Sequence, residues 1–478
     1  MAADVLDRFS PATREWFRTT FRDPTAAQAK GWPAIADGDH ALILAPTGSG
    51  KTLTAFLHAI DRLSTAPEPD RDKRLRVLYV SPLKALAVDI DKNLRAPLRG
   101  VQLAAERLGL EWREPTVGVR TGDTEPSERQ RMLRTPPDIL ITTPESLFLL
   151  LTSRARETLR SVDTVIIDEI HALAPSKRGS HLALSLERLE HEVTTAGSPA
   201  PQRIALSATQ RPLDEIARFL GGAHEADQPA RSPGDRQALA DHRLEPRPVT
   251  IVDAGVRKQL ELDVVVPVED MGDLGAVVEP ASELAGPTRR SIWPAMHPRL
   301  LDLVLDHGST LIFVNARRLA ERLAATLNQL HERRVRDQRL VELGIDPADA
   351  DDSDEPNVIA ALAEPVVELV RAHHGSLSRE RRLSIEDDLK AGRLRGLVAT
   401  SSLELGIDMG AVDLVIQVSS PGSVSRGLQR IGRAGHHVGQ PSKGTLFPRF
   451  RGDLLETAVV VQRMEAGDIE PTRYPRNP

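Results

Sequence analysis

The stretch that most constrains this chain is residues 41–52, Ala-Leu-Ile-Leu-Ala-Pro-Thr-Gly-Ser-Gly-Lys-Thr. Ala41 to Leu44 is an apolar run of strand length, and beyond the loop Leu53, Phe56, Leu57, Ile60 and Leu63 recur at helical spacing. A strand, a glycine-containing loop and a Lys-Thr pair opening a helix form an arrangement that cradles phosphates. Gly48 and Gly50 let backbone N–H groups turn towards an anion without Cβ clashes. The helix N-terminus adds a positive dipole end. Thr47 and Ser49 complete the loop. Lys51 can reach terminal phosphates as a point charge. The Thr52 hydroxyl suits Mg²⁺, which takes oxygen ligands in octahedral geometry. The pattern's first glycine is Ala45 here.

A second anchor is Val165-Ile166-Ile167-Asp168-Glu169-Ile170-His171. Its apolar run reads as a buried strand whose C-terminal end delivers two carboxylates, which is where α/β sheets place ligands. Asp168 can share a Mg²⁺ with Thr52, and Glu169 can orient and deprotonate a water. Phosphoryl transfer is mostly positioning and charge stabilisation, so one metal-anchoring and one water-directing carboxylate suffice.

Short apolar runs alternate with helical patterns along most of the chain. They are Ala41–Leu44, Val77–Val80, Ile139–Thr142, Val165–Ile167 and Arg203–Leu206, then Val249–Val252, Leu262–Val266, Thr310–Val314, Gly396–Ala399 and Leu414–Val418. This alternation predicts an α/β fold with two tandem domains, each a parallel sheet covered by helices on both faces. The expected boundaries are a first domain over 1–225, a linker over 226–246, a second domain over 247–440, and a proline-rich linker over 441–478 that leads towards a further C-terminal domain. The acidic segment 345–356 falls in the second domain. It lacks the glycine and glutamate that a calcium loop requires at its sixth and twelfth positions, so a solvated insertion is expected.

Composition adds exclusions. The chain has no cysteine, which rules out disulfides, thiolate zinc sites and cysteine nucleophiles and fits a reducing cytoplasm. No stretch approaches the ~20 apolar residues of a membrane span. A net charge of −6 leaves nucleic-acid binding to a local basic groove, and aromatics at 3% argue against extensive base stacking.

Further motifs fall in order around these anchors, and together they resemble a superfamily 2 helicase. Pro24 to Gln28 resembles the adenine-reading Q motif, where the Gln28 amide presents a donor and an acceptor together. Ala45 to Thr52 is motif I. Ser81-Pro82-Leu83-Lys84-Ala85-Leu86 resembles motif Ia, Arg120-Thr121-Gly122-Asp123 motif Ib, and Thr142-Thr143-Pro144-Glu145 the motif after it. Asp168 to His171 (DEIH) is motif II, and Ser207-Ala208-Thr209 is motif III, whose hydroxyls can bond His171. Leu311 to Asn315 resembles motif IV, and His373-His374-Gly375-Ser376-Leu377 the segment that follows it. Ala399 to Gly410 is motif V and Gln429 to His436 motif VI. Within the superfamily the chain looks most like the large helicase-related (Lhr) family, through SPLKALAVD, TTPESL, IIDEIHALA, HHGSLSRERR, SSLELGIDMG and QRIGRAGHH.

The resemblance implies two RecA-like domains with ATP and Mg²⁺ in the cleft between them. It implies that Gly406 and Asp408 face the nucleotide, that Arg433 is an arginine finger, and that Arg430 and His436 lie at the same site. His436 stands where the family often has a second arginine. Lys84, Thr121, Thr142, Thr143, Thr400 and Ser401 would grip the backbone of single-stranded DNA, without reading bases. The implied activity is 3′-to-5′ movement on single-stranded DNA with displacement of a paired strand, RNA:DNA hybrids included, in DNA repair. Two other readings stay open on the residues alone: an RNA-dependent remodelling ATPase, and an ATP-dependent nucleic-acid clamp that does not separate strands.

Overall fold

Alternate residues of each central strand enter opposite cores, and this determines the layering. A computed structural model describes residues 4–46, 49–208, 211–225, 244–255, 259–272, 274, 277–278, 288–289, 291–347, 363–404, 412–435 and 440–472. The chain forms two units, Met1–Arg257 with Glu470–Pro478, and Lys258–Ile469.

In the first unit, strands β1 (Ala41–Leu44), β2 (Val77–Val80), β3 (Val117–Arg120), β4 (Ile139–Thr142), β5 (Thr164–Ile167) and β6 (Gln202–Ser207) are parallel. A small antiparallel ribbon follows, β7 (Ala223–Glu225) with β8 (Leu244–Pro246). Strand β9 (Thr250–Asp253) then returns to the sheet beside β1. The sheet order is β3-β4-β2-β5-β6-β1-β9. Leu42, Leu44, Leu78, Val80, Val165 and Ile167 face one core, with α6 (Pro144–Leu151), α8 (Lys177–Thr195) and α9 (Leu213–Gly221). Ala41, Ile43, Val77, Tyr79 and Ile166 face the other, with α2 (Ala26–Ala36), α3 (Lys51–Thr65) and α4 (Lys84–Leu108). Both faces are covered, so the strands read as continuous apolar runs instead of alternating ones.

Helix starts follow local chemistry. Ser10 caps α1 (Pro11–Thr20), and Thr25 and Gln28 form a reciprocal capping box on α2. Thr143 caps α6 and Ser176 caps α8. Gly50 begins α3 in the left-handed conformation (φ +79°) with no side-chain cap, which leaves the first N–H groups of that helix open.

The second unit carries a six-stranded parallel sheet in the order β10-β17-β16-β13-β15-β14. Its strands are β10 (Leu260–Val264), β13 (Thr310–Phe313), β14 (Val370–His373), β15 (Gly396–Ala399), β16 (Leu414–Val418) and β17 (Ser442–Phe447), with β11 (Val277–Val278) and β12 (Thr288–Arg289) as a separate pair. One face packs on α10 (Trp293–Asp306) and α11 (Arg317–Glu342) through Met296, Leu300, Val304, Leu323 and Leu327.

Two expected boundaries move. The run at 249–252 belongs to the first sheet as β9, not to the second domain, because an apolar run identifies a strand without identifying its partner. Residues 441–478 are not a linker throughout. Ser442–Phe447 inserts between β10 and β16, and Arg451–Ala466 is a helix packed on the Val424–Ile431 helix. Pro441 and Pro448 lie just outside that strand, where proline is tolerated. Of the expected linker 226–246, residues 244–246 form β8 and the rest lies outside the described residues, as does 348–356 of the acidic segment. Strands β3, β14 and β17 have no counterpart among the expected runs. Among the described residues, no helix is long and apolar enough to cross a membrane.

Gly179 allows α8 to lie against α7 (Ile170–Leu173): a Cβ there would sit 2.2 Å from the Leu173 carbonyl oxygen. Backbone cannot yield as a flexible side chain can. We expect Gly179→Ala to destabilise the protein by about 1–3 kcal/mol, read as a lowered urea midpoint. An unchanged midpoint would show that the two helices separate freely.

Candidate functional site

The C-terminal ends of β1, β6 and β5 lie side by side. Register sets Leu44 opposite Ser207, and Ile167 opposite Ala205. The phosphate loop after β1 and the carboxylates after β5 therefore emerge on one edge, with Ser207 between them.

Lys51 is buried, and its Nζ has no hydrogen-bond partner among the described residues. Ser49 turns its hydroxyl onto the Pro46 carbonyl at 2.6 Å. Thr52 stands half-buried in the first turn of α3. Gln28 is buried, and a Cβ on Gly50 would meet its Nε2 at 2.8 Å. Its Oε1 accepts from the Thr25 N–H at 2.8 Å, so this amide has its acceptor occupied by the capping box and its donors against the loop. Thr47 and Gly48 lie outside the described residues.

Asp168 and Glu169 are both buried. Glu169 takes a left-handed backbone (φ +44°) and begins α7. Such a conformation is costly for a non-glycine residue and concentrates at functional sites. Asp168 Oδ1 accepts from the Glu169 N–H at 2.9 Å, and Oδ2 accepts from the Tyr79 hydroxyl at 2.5 Å. Burial pushes the Asp168 carboxyl up to about 7, and the Glu169 charge pushes the same way. The Tyr79 hydroxyl, the Lys51 ammonium and the Glu169 N–H pull it back. Tyr79 belongs to none of the motifs. The only signal for it in the sequence is a polar-tipped aromatic in an otherwise aliphatic strand.

His171 is buried, and burial lowers its pKa. The Ala208 N–H donates to His171 Nδ1 at 3.3 Å, so that nitrogen is the acceptor and the neutral ring carries its proton on Nε2. Ser207 Oγ lies 3.3 Å from the same Nδ1, and Glu169 Oε2 lies 3.4 Å from it. The structure thus brings His171, Ser207 and Glu169 together; Thr209 lies outside the described residues.

Two buried carboxylates, a buried ammonium without a partner and open helix N–H groups are a donor set that fits a polyphosphate with a divalent cation. Thr52 and Asp168 are the residues here that would hold the metal.

The loops after β2, β3 and β4 occupy the same edge. Lys84 is half-exposed and pairs with Asp123 at 2.5 Å. Three of the expected backbone-gripping threonines turn inward instead. Thr121 Oγ1 accepts from the Asp123 N–H, Thr142 Oγ1 donates to the Arg120 carbonyl at 2.7 Å, and Thr143 Oγ1 caps α6. These hydroxyls shape the loops, because buried polar groups at strand ends must find partners. Sequence reasoning missed two braces. Arg129 donates to the carbonyls of Thr121 and Gly122, and Arg178 joins Glu145 to the Pro82 carbonyl at 2.6 and 2.9 Å. Arg129 sits in the helix that follows its loop, but Arg178 comes from α8, distant in sequence from both residues it joins, so only the first has a local signal.

In the second unit, Arg430 is buried and makes four hydrogen bonds within that unit. Its Nε and a terminal nitrogen bind Glu404, and the other binds Asn315 at 3.0 Å and Gln417 at 2.9 Å. The guanidinium also lies over Phe313. Arg430 therefore holds motifs IV, V and VI together, in keeping with a role in stabilising the site: a motif shows an arginine's place but not its partners. Arg433 is buried and donates to the Glu404 carbonyl at 2.9 Å. Thr400 is half-buried and Ser401 exposed at the end of β15. His373 and His374 each meet a glutamate, Glu386 and Glu321. Among the described residues, no cluster of three or more His, Asp or Glu side chains is arranged to hold a metal ion by itself. Gly406, Asp408 and His436 lie outside them.

A phosphate loop and a carboxylate pair on one parallel sheet, followed by a second parallel sheet, are the parts of two tandem RecA-like domains. Residues 25–216 match the family model described as DEAD/DEAH box helicase, and residues 359–437 match the helicase conserved C-terminal domain. The chain belongs to the superfamily 2 helicases. Its likeness within them is to the Lhr family. It is 54% identical to the Lhr helicase/probable uracil glycosylase of Mycolicibacterium smegmatis, over 100% of this chain and 29% of that protein. It is 38% identical to the ATP-dependent helicase Lhr-Core of Methanocaldococcus jannaschii, over 99% of this chain and 47% of that one. Among solved structures it resembles the Mycobacterium smegmatis helicase Lhr bound to ssDNA and AMP-PNP, with a TM-score of 0.78 and 52% identity, covering 99% of this chain and 52% of that chain. The chain spans less than half the length of these two curated relatives.

The raised Asp168 pKa has a consequence without ligands. An unfolded aspartate titrates near about 4, so the folded state holds this proton more tightly. That contribution to stability is fully present below about pH 4 and is lost as pH rises through about 7. We expect Asp168→Asn to melt higher than wild type at about pH 8, with the gap closing towards about pH 5. A gap that does not change with pH would show that Asp168 is not held this way.

Proposed function

We propose that this chain binds and hydrolyses ATP with Mg²⁺ and uses the cycle to move along single-stranded DNA, displacing a paired strand. The observation that carries the reading is the buried set Lys51, Asp168 and Glu169, with Lys51 Nζ lacking a hydrogen-bond partner among the described residues and its charge acting on Asp168. Bound Mg²⁺ would supply positive charge to the phosphate oxygens. Lys51 and the open N–H groups of α3 bind the terminal phosphates, with Thr47, Gly48, Ser49 and Gly50 forming the cradle and Gln28 packed against it. Glu169, fixed by its left-handed backbone, directs and deprotonates the attacking water. His171 lies against both Glu169 and the Ser207–Ala208 segment, so it is the side chain through which a change at the carboxylates reaches β6. Gly406, Asp408 and Arg433 are the second unit's contributions, Arg433 as a cation for charge developing on the phosphate.

For the nucleic acid, half-exposed Lys84 and the Thr400–Ser401 turn are the proposed backbone contacts, and Thr121, Thr142 and Thr143 keep the loops in shape. Such contacts address phosphate without sequence preference. Likeness to the Lhr family supports 3′-to-5′ movement, action on RNA:DNA hybrids and a place in DNA repair.

The test is the ATPase rate alone, with single-stranded DNA and with single-stranded RNA. DNA should stimulate more strongly. Equal or greater stimulation by RNA would replace this reading with an RNA-dependent remodelling ATPase. Binding and hydrolysis without strand displacement on a tailed duplex would leave a clamp. Glu169→Gln should bind ATP and lose about 100-fold or more in kcat, whereas Lys51→Ala should lose nucleotide binding. Undiminished turnover in Glu169→Gln would remove Glu169 from its role.

A further inference from the structure

Tyr79 on β2 is fully buried and stacks on Phe56 of α3, with ring centroids 4.9 Å apart and planes at 25°. Register places Tyr79 opposite Ile166 on β5. Side chains alternate along a strand, so Asp168, two residues beyond Ile166, continues the face that Tyr79 shares. A phenylalanine would fill the same apolar slot. Among the described residues the hydroxyl has one hydrogen bond, and it goes to Asp168 Oδ2 at 2.5 Å. In that bond the phenol O–H donates and the carboxylate oxygen accepts.

The other Asp168 oxygen accepts from the Glu169 N–H at 2.9 Å. Each carboxylate oxygen thus has one donor, and the two together fix the plane of the group. A neutral donor does this without adding a charge that would repel a cation. Lys51, whose charge also acts on Asp168, makes no hydrogen bond to it among the described residues.

We propose that Tyr79 is a positioning residue that orients the Asp168 carboxylate for the divalent cation accompanying the nucleotide. This rests on the ATP·Mg²⁺ reading above. The Phe56 stack ties the same tyrosine to the helix that opens with Lys51 and Thr52, so both proposed metal-holding residues share one packed support. Partners that orient a metal ligand are typically worth about 10–100-fold in metal affinity.

The experiment compares wild type with Tyr79→Phe. AMP-PNP binding is followed by calorimetry as Mg²⁺ is raised, and again in EDTA. The Mg²⁺ midpoint should rise about 10-fold or more in the variant, with binding in EDTA and at saturating Mg²⁺ unchanged. Equal midpoints would overturn the role of Tyr79. A wild-type protein showing no Mg²⁺-dependent AMP-PNP binding would instead overturn the nucleotide reading itself. Should Tyr79→Phe fail to fold, labelling answers the question. The chain has two tyrosines, Tyr79 and Tyr474. Full-length protein carrying 3-fluorotyrosine gives two fluorine resonances, assigned with Tyr474→Phe. The Tyr79 resonance should move on adding MgCl₂ to the AMP-PNP complex. A Tyr79 resonance that stays in place while Mg²⁺ binds would overturn the proposal.

Discussion

Two carboxylates and an ammonium removed from water at one edge of a sheet set the terms for the structure around them. Desolvating an ionised group costs several kcal/mol even after relaxation, so each must be held or answered. Asp168 is held by a tyrosine hydroxyl and a backbone N–H, and Glu169 is held in an unfavourable backbone conformation that the flanking strand and helix enforce. Lys51 is not answered by a hydrogen bond. The fold keeps this arrangement because two apolar cores, one on each face, bury the strands that deliver it. An anion and a cation placed there would supply what the protein itself leaves unmet.

Much of this was legible in the sequence, and the reasons are specific. Residues 41–52 and 165–171 show both a strand and the chemistry at its end, because a strand buried on both faces is a continuous apolar run and its charged terminus stands out. Most central strands were visible for the same reason. β3 was not, since its residues are only half-buried and it includes Gly118 and Arg120. β17 was hidden by its bracketing prolines. The run that forms β9 is legible as a strand but its sheet is not, because a run of four residues says nothing about a partner some two hundred positions away.

The site divides in a way that motifs do not express. Some motif residues reach outward, and others hold. Thr142, Thr143 and Arg430 look the same in a string of letters as half-exposed Lys84 or exposed Ser401, yet their side chains close loops, cap helices or join strands. Which of these a residue does depends on whether its neighbours leave a donor or acceptor unpaired, and that is a property of the packed chain. Tyr79 is the converse case, a residue outside every motif that touches the most perturbed carboxylate described.

The ribbon of β7 and β8 gives the molecule a tolerant place. Ala223 pairs with Pro246 and Glu225 with Leu244, so the ladder itself holds these two strands together. Lengthening a closed loop costs only about 0.6 kcal/mol per doubling. An affinity handle or a reporter domain inserted between those strands would therefore leave the first unit's sheet in register, making this a natural port for engineering the protein.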